Sequence, residues 1–108
     1  MIWVQFVKNY LSDFATKNLE KLSEVYDDRV QLRDWLISVE GKGAVLDANK
    51  QLFDNCDNIS VQILNTAYRD KFVCVEFNLN IDGETLHVVD IIEVNDEGKI
   101  KSIRAYKG

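Results

Sequence analysis

The sequence predicts an α+β domain, with three helices packed on one face of a strongly curved antiparallel sheet. Two observations carry that prediction. Apolar residues recur at three- and four-residue spacing only in the first half of the chain, and from Ile59 onward they recur at every second position. Turn signals at Arg69-Asp70-Lys71, Asp82-Gly83 and Asn95-Asp96-Glu97-Gly98 then divide the second half into a four-strand antiparallel meander.

Each element follows from its local pattern. Residues 2 to 16 place Trp3, Phe6, Val7, Tyr10 and Phe14 on one apolar stripe, with Lys8, Asn9, Asp13 and Lys17 off it. Tyr10 lies on the buried stripe, so its hydroxyl needs a partner inside. Asn18 is an N-cap for a short second helix, Leu19 to Tyr26, which Asp27-Asp28 ends. A strand follows in VQLRDWLISV, residues 30 to 39, with Val30, Leu32, Asp34 and Leu36 on one face and Gln31, Arg33, Trp35 and Ile37 on the other. Glu40-Gly41-Lys42-Gly43 is a loop, and Ala44 to Asn55 is a third helix with Val45, Ala48, Leu52 and Phe53 inward. Ile59, Val61 and Ile63 begin a strand that runs toward Tyr68. Phe72 to Ile81 sets Val73, Val75, Phe77 and Leu79 against Cys74, Glu76, Asn78 and Asn80. The last two strands lie in Leu86 to Tyr106, joined at Gly98, which can supply a positive φ.

Composition narrows the function. The 108 residues suffice for a single domain, residues 1 to 108, and 46% hydrophobic content can build a core. A net charge of -5 without a Lys/Arg-rich block argues against a nucleic-acid partner. No apolar run approaches the roughly 20 residues of a membrane span. The N-terminus lacks the pattern of a signal peptide, and Cys56 and Cys74 read as two reduced thiols, so a cytoplasmic protein is expected. One histidine, His87, and no clustered metal-ligand spacing leave no expected metal site.

Two acids break the apolar phase of their strands. Asp90 stands in the set Leu86, Val88, Ile92 and Val94, and Asp34 stands in the set Val30, Leu32 and Leu36. A carboxylate on a face built to exclude water is expensive unless it is paired or kept neutral. For Asp90 both readings are open: a neutral hydrogen-bond donor in an apolar pocket, or an ion pair with Arg104. Hairpin register decides between them, since a two-residue turn at Asp96-Glu97 sets Ile103 opposite Asp90 and a longer one brings Arg104 there. Asp34 is read either as a pocket acid or as a strand-end residue bonding nearby backbone N–H groups.

With Asn18-Leu19, YDDRVQLRD at 26–34, Gly41 and VVDIIEVNDEGKIKSIRAY at 88–106, the chain resembles the nuclear-transport-factor-2-like superfamily. That group of cone-shaped, cystatin-like rolls includes ketosteroid isomerases and SnoaL-like polyketide cyclases. Aligned without gaps between these segments, Tyr10 falls on the helix-one tyrosine of the isomerases, Asp34 on their general base and Asp90 on their second aspartate. The resemblance implies that Asp34 moves a proton α to a carbonyl while Tyr10 and protonated Asp90 donate hydrogen bonds to the enolate oxygen. Trp35 stands where a proline commonly follows the base, and Lys107 stands where the steroid enzymes carry a large aromatic. These differences bear on the substrate and leave the acid–base pair intact.

The resulting expectation is a small, cofactor-independent isomerase- or cyclase-like enzyme acting on an apolar carbonyl compound. Its catalytic residues are Asp34, Tyr10 and Asp90, and Trp3, Phe14, Leu36, Phe53, Val75, Phe77, Val88, Ile92 and Ile103 line the cavity. A homodimer is expected through the outer face carrying Cys74, Glu76, His87, Val89, Ile91 and Glu93. The alternatives are a silent carrier of small apolar ligands and a dimeric interaction module of the same fold.

Overall fold

The apolar stripe of the first helix becomes the roof of the molecule. In the structure, a computed structural model that describes residues 2–108, the stripe belongs to α1 (Ile2–Ala15), which buries Val7 and Tyr10 of the expected set together with Val4 and Leu11, while Trp3, Phe6 and Phe14 are half-buried against the core. Asn18 accepts the N–H of Lys21 at 3.1 Å and so caps α2 (Leu19–Val25). Gly41, at φ 100°, lets the chain turn directly into α3 (Lys42–Asp54), whose inward side is Val45, Asn49 and Phe53.

Beneath the helices lies one six-stranded sheet. Its strands are β1 (Tyr26–Arg33), β2 (Ser38–Glu40), β3 (Ile59–Arg69), β4 (Phe72–Ile81), β5 (Glu84–Val94) and β6 (Ile100–Lys107). They are ordered β2-β1-β6-β5-β4-β3, and the curved sheet does not close. β1 runs parallel to β6, and every other neighbouring pair is antiparallel. The period of two in β4 and β5 turns Val73, Val75, Phe77, Leu79, Val88, Ile92 and Val94 to the helical side, where all are buried. Burial of each such side chain contributes roughly 1.5–3 kcal/mol, which is why the pattern dictates the face. α1 packs chiefly over β3 and α3 over β1, so the sheet centre at β5 and β6 lies between the helices. No helix of the described residues is long and apolar enough to cross a membrane.

The first strand departs from expectation. It begins at Tyr26, so Asp27 and Asp28 lie inside it rather than ending a helix, and it stops at Arg33. The reason for the early stop is Asp34, whose Oδ1 accepts the N–H groups of Leu36 at 2.7 Å and Ile37 at 2.8 Å. Its own N–H donates to the carbonyl of Ile37 at 3.0 Å. These three bonds close a tight turn over 34–37, after which three residues return as β2.

Neither expected register at Asp90 occurs. The loop after β5 is three residues long, because Asn95 and Lys99 are joined by an N–H···O bond of 2.8 Å. Gly98 sits at φ 78° in that loop. A bulge between the Glu93–Ser102 and Val94–Ile100 pairs adds one more residue to β6. Together these place Ala105 opposite Asp90, whereas Ile103 faces Ile92 and Arg104 faces Ile91. Arg104 therefore lies on the outer face, where its Nη1 meets Glu93 Oε2 at 2.7 Å. It is no partner for Asp90.

Candidate functional site

The site is a row of three side chains across the middle of the sheet. β1 and β6 pair Arg33 with Arg104, which brings Asp34 level with Ala105, and Ala105 in turn pairs with Asp90. The two acids thus flank a residue whose side chain ends at Cβ. Val75 of β4 continues the row beyond Asp90, fully buried.

Asp90 is only 6% exposed. Burial pushes its carboxyl up to about 7, and the negative charge of Asp34 adds to the shift. Among the described residues its carboxyl group has no hydrogen-bond partner, yet no unpartnered side-chain oxygen is sealed from water-sized contact. Its unpartnered oxygens therefore keep a small contact with solvent.

Tyr10 comes down from α1 beside Tyr26 of β1, with ring centroids 6.2 Å apart and planes tilted by 60°. Burial raises both hydroxyls well above the ordinary tyrosine range, and the charge of Asp90 acts on both in the same direction. Both phenols accordingly remain donors throughout the neutral range. Tyr26 donates to Oδ1 of Asn49 on α3 at 2.7 Å. One polar cluster thus joins α1, β1, α3 and β5 inside an apolar core.

Tyr26 and Asn49 were not among the expected site residues. The signal for Asn49 was present, since it stands four residues after Val45 and four before Phe53, on the buried stripe of its helix. Tyr26→Phe should leave the Asn49 carbonyl oxygen unsatisfied and cost about 1–3 kcal/mol of stability, measurable by urea denaturation. A change within error would mean that water replaces the phenol.

The structure distributes the expected cavity residues unevenly. Val75, Val88, Ile92 and Ile103 surround Asp90 and Ala105 on the inner face, with Phe77 one pair further along β4. Phe53 of α3 packs against Phe14 of α1, centroids 5.3 Å apart. Two residues fall elsewhere. Trp3 lies over the turn after β5, its Cη2 3.5 Å from where a Cβ on Gly98 would stand. Leu36, expected on the inner face, is 83% exposed because the strand has already ended. Asp34 is half-buried, with Oδ1 engaged by its own turn and Oδ2 without a protein partner among the described residues.

Two surface clefts lie outside this row. One of about 460 Å³ lies over β2, β1 and β6, bounded by Gln31, Arg33, Ser38, Glu40, Ser102 and Arg104. The other, about 400 Å³, lies between α1 and α2 and includes Tyr10. Neither is bounded by Asp34 or Asp90.

Comparison with known proteins agrees with this architecture. Among solved structures, a protein from Shewanella putrefaciens CN-32 assigned as a SnoaL-like polyketide cyclase superposes with a TM-score of 0.89, at 10% identity over 99% of this chain and 80% of its own. A protein from Kribbella flavida assigned as a ketosteroid isomerase gives 0.82 at 15% identity, over 94% of this chain and 74% of that one. An LEH-like epoxide hydrolase of M. tuberculosis gives 0.81 at 16% identity, over 98% and 82%. At such identities these likenesses speak for the fold alone. No match is found among curated protein sequences. The family model of the SnoaL-like domain, however, matches residues 7–103, nearly the whole chain, and the protein belongs to the SnoaL-like domain family.

Proposed function

We propose that the protein is a small cofactor-independent enzyme, isomerase- or cyclase-like, that moves a proton on an apolar carbonyl compound bound over Ala105. The observation that carries this reading is the Asp90 carboxyl: nearly buried, held up to about 7, without a protein partner among the described residues and in slight contact with solvent. Such a group can donate to a ligand oxygen at neutral pH, and Tyr10, whose hydroxyl interacts with that of Tyr26, would have to turn from it to act as a second donor. Asp34, across Ala105, offers the unengaged Oδ2 as the proton acceptor. The backbone bonds to Oδ1 fix the carboxylate, so little reorganisation accompanies transfer. The cyclase, isomerase and epoxide hydrolase named above are consistent with acid–base chemistry on this fold.

NMR titration of carboxyl-labelled protein tests the electrostatic basis without a substrate. Asp90 should titrate near 7, and a midpoint below about 4 would remove the donor role. A carrier of small ligands would use the same row without turnover, and it is separated from the enzyme by the Asp34 variant treated in the Discussion.

The protein acts, in this reading, as a homodimer in the cytoplasm. The outer sheet face sets half-exposed Val89 and Tyr106 beside the His87–Glu76 contact of 3.3 Å. An uncovered apolar and polar mixture of this kind suits a second copy of the chain. Cys56 and Cys74 are both free, as a reducing compartment requires. Sedimentation equilibrium at micromolar concentration should give twice the monomer mass, and a monomer there would refute the assembly.

A further inference from the structure

We propose that the inner sheet face at Asp34, Ala105 and Asp90 selects an anionic substrate: a small apolar carbonyl compound carrying a carboxylate that Lys107 receives at the end of β6. The proposal rests on the binding row described above and specifies what else occupies it.

Lys107 lies on the inner face. It pairs with Val88, which is buried, and it follows Ala105 by two residues, so its side chain leaves the same side of β6 as the Ala105 gap. The two positions are roughly 7 Å apart along the strand, which fits the separation of two functional groups on one small molecule. The ammonium lies 5.8 Å from the ring centroid of Trp35. Trp35 is itself held in the turn that Asp34 closes through Leu36 and Ile37. An exposed cation–π contact is worth only about 0.5–1 kcal/mol, but it biases a flexible side chain toward one place.

Among the described residues Lys107, like Lys8, Lys21 and Lys101, has no counter-ion, and of these four it alone lies two residues from Ala105 on the same side of β6. Lys42, Lys50 and Lys71 each meet an aspartate, and Lys17 and Lys99 each donate to backbone carbonyls. Among the described residues no carboxylate lies within ion-pairing distance of Lys107. In a chain of net charge -5, an unpaired cation two residues beyond Ala105 attracts what the rest of the surface repels. Asp34 and Asp90 would oppose an anion placed deep in the row, so the anionic group belongs at the Lys107 end and the carbonyl over Ala105.

The test uses two ligands of nearly one shape, 3-(4-hydroxyphenyl)propionate and its methyl ester. The phenol of each stands in for an enolate oxygen between Tyr10 and Asp90, and only the first carries a charge. Each is titrated into labelled protein by NMR, reading dissociation constants and the shift of the Asp90 carboxyl. The acid should bind about tenfold more tightly than the ester. Lys107→Met should remove that preference while Lys107→Arg keeps it, and about 0.5 M salt should weaken it. Equal affinities in the wild type with the Asp90 signal responding, or a preference that survives Lys107→Met, would overturn the role of Lys107 and leave the binding row standing. If neither ligand moves the Asp90 signal, the binding row itself is refuted and this inference falls with it.

Discussion

Replacing Asp90 by Asn should stabilise the protein by about 4 kcal/mol near pH 8 and have almost no effect near pH 4. The reasoning is one of linkage. Burial pushes the Asp90 carboxyl up to about 7 in the folded chain from the ordinary aspartate value of 3.8, which at 1.36 kcal/mol per tenfold step in acidity amounts to about 4 kcal/mol. Below the unfolded value both states hold the proton, and the folded state loses nothing. Between about pH 4 and 7 the unfolded chain releases a proton that the folded chain keeps, so the wild type loses stability steadily as pH rises. Above about 7 both states are ionised and the loss is complete. Asparagine has nearly the same shape, keeps a donor and does not titrate, so the variant escapes the loss. Tyr10 and Tyr26, the nearest other titrating groups on α1 and β1, stay protonated across this window. Asp34 is common to both proteins. Urea melts of the two proteins between about pH 4 and 8 measure the difference directly. Parallel curves would mean that Asp90 ionises freely where it stands, and the buried-acid description would be lost.

How much of this was legible in the sequence depends on whether the determining interaction is local. The inner face of β4 and β5 was readable because four alternating apolar residues admit only one register with a dry core. The turn at Asp82-Gly83 was readable too, since both residues adopt positive φ, 52° and 91°, as a two-residue hairpin requires. The start of β1 was not. Leu22, Val25 and Tyr26 continue a helical spacing, and what draws Tyr26 into a strand is Asn49 above it and Ile100 beside it. Asp27, a poor strand former, is retained there through a 2.8 Å bond from Asn95 on the far hairpin. The parallel pairing of β1 with β6 has no local signature either. For the site, the phase of Asp34 and Asp90 was visible from alternation alone. Their position on either side of Ala105 was hidden, because it depends on a three-residue loop and a bulge that shift the register of β6.

That register gives the catalytic prediction its shape. With Ala105 between the acids, the base and the oxygen donors act on the same bound molecule from opposite sides, and the variants should separate their roles. Activity is measured as exchange of α-protons into deuterated water for small aryl and cyclic ketones, followed by NMR. Asp34→Asn should lower the rate by about 10²–10⁴ while ligand affinity stays the same or improves, because the acceptor is gone and the repulsion with it. Asp90→Ala should lower it by about 10²–10³ through loss of a donor to the enolate oxygen. Asp90→Asn should cost less than about tenfold, since a neutral donor remains. The pH profiles carry the sharper distinction. In the wild type the donor exists only while Asp90 holds its proton, so the rate should fall as pH rises through about 7. In Asp90→Asn that fall should vanish, because nothing is left at position 90 to titrate. A purely structural Asp90 would change the rates of both proteins together and would leave the shape of the profile untouched. Catalysed exchange that survives Asp34→Asn would remove Asp34 as the base, and exchange no faster than in buffer for wild type and variant alike, with ligand still bound, would leave the carrier reading in place of the enzyme.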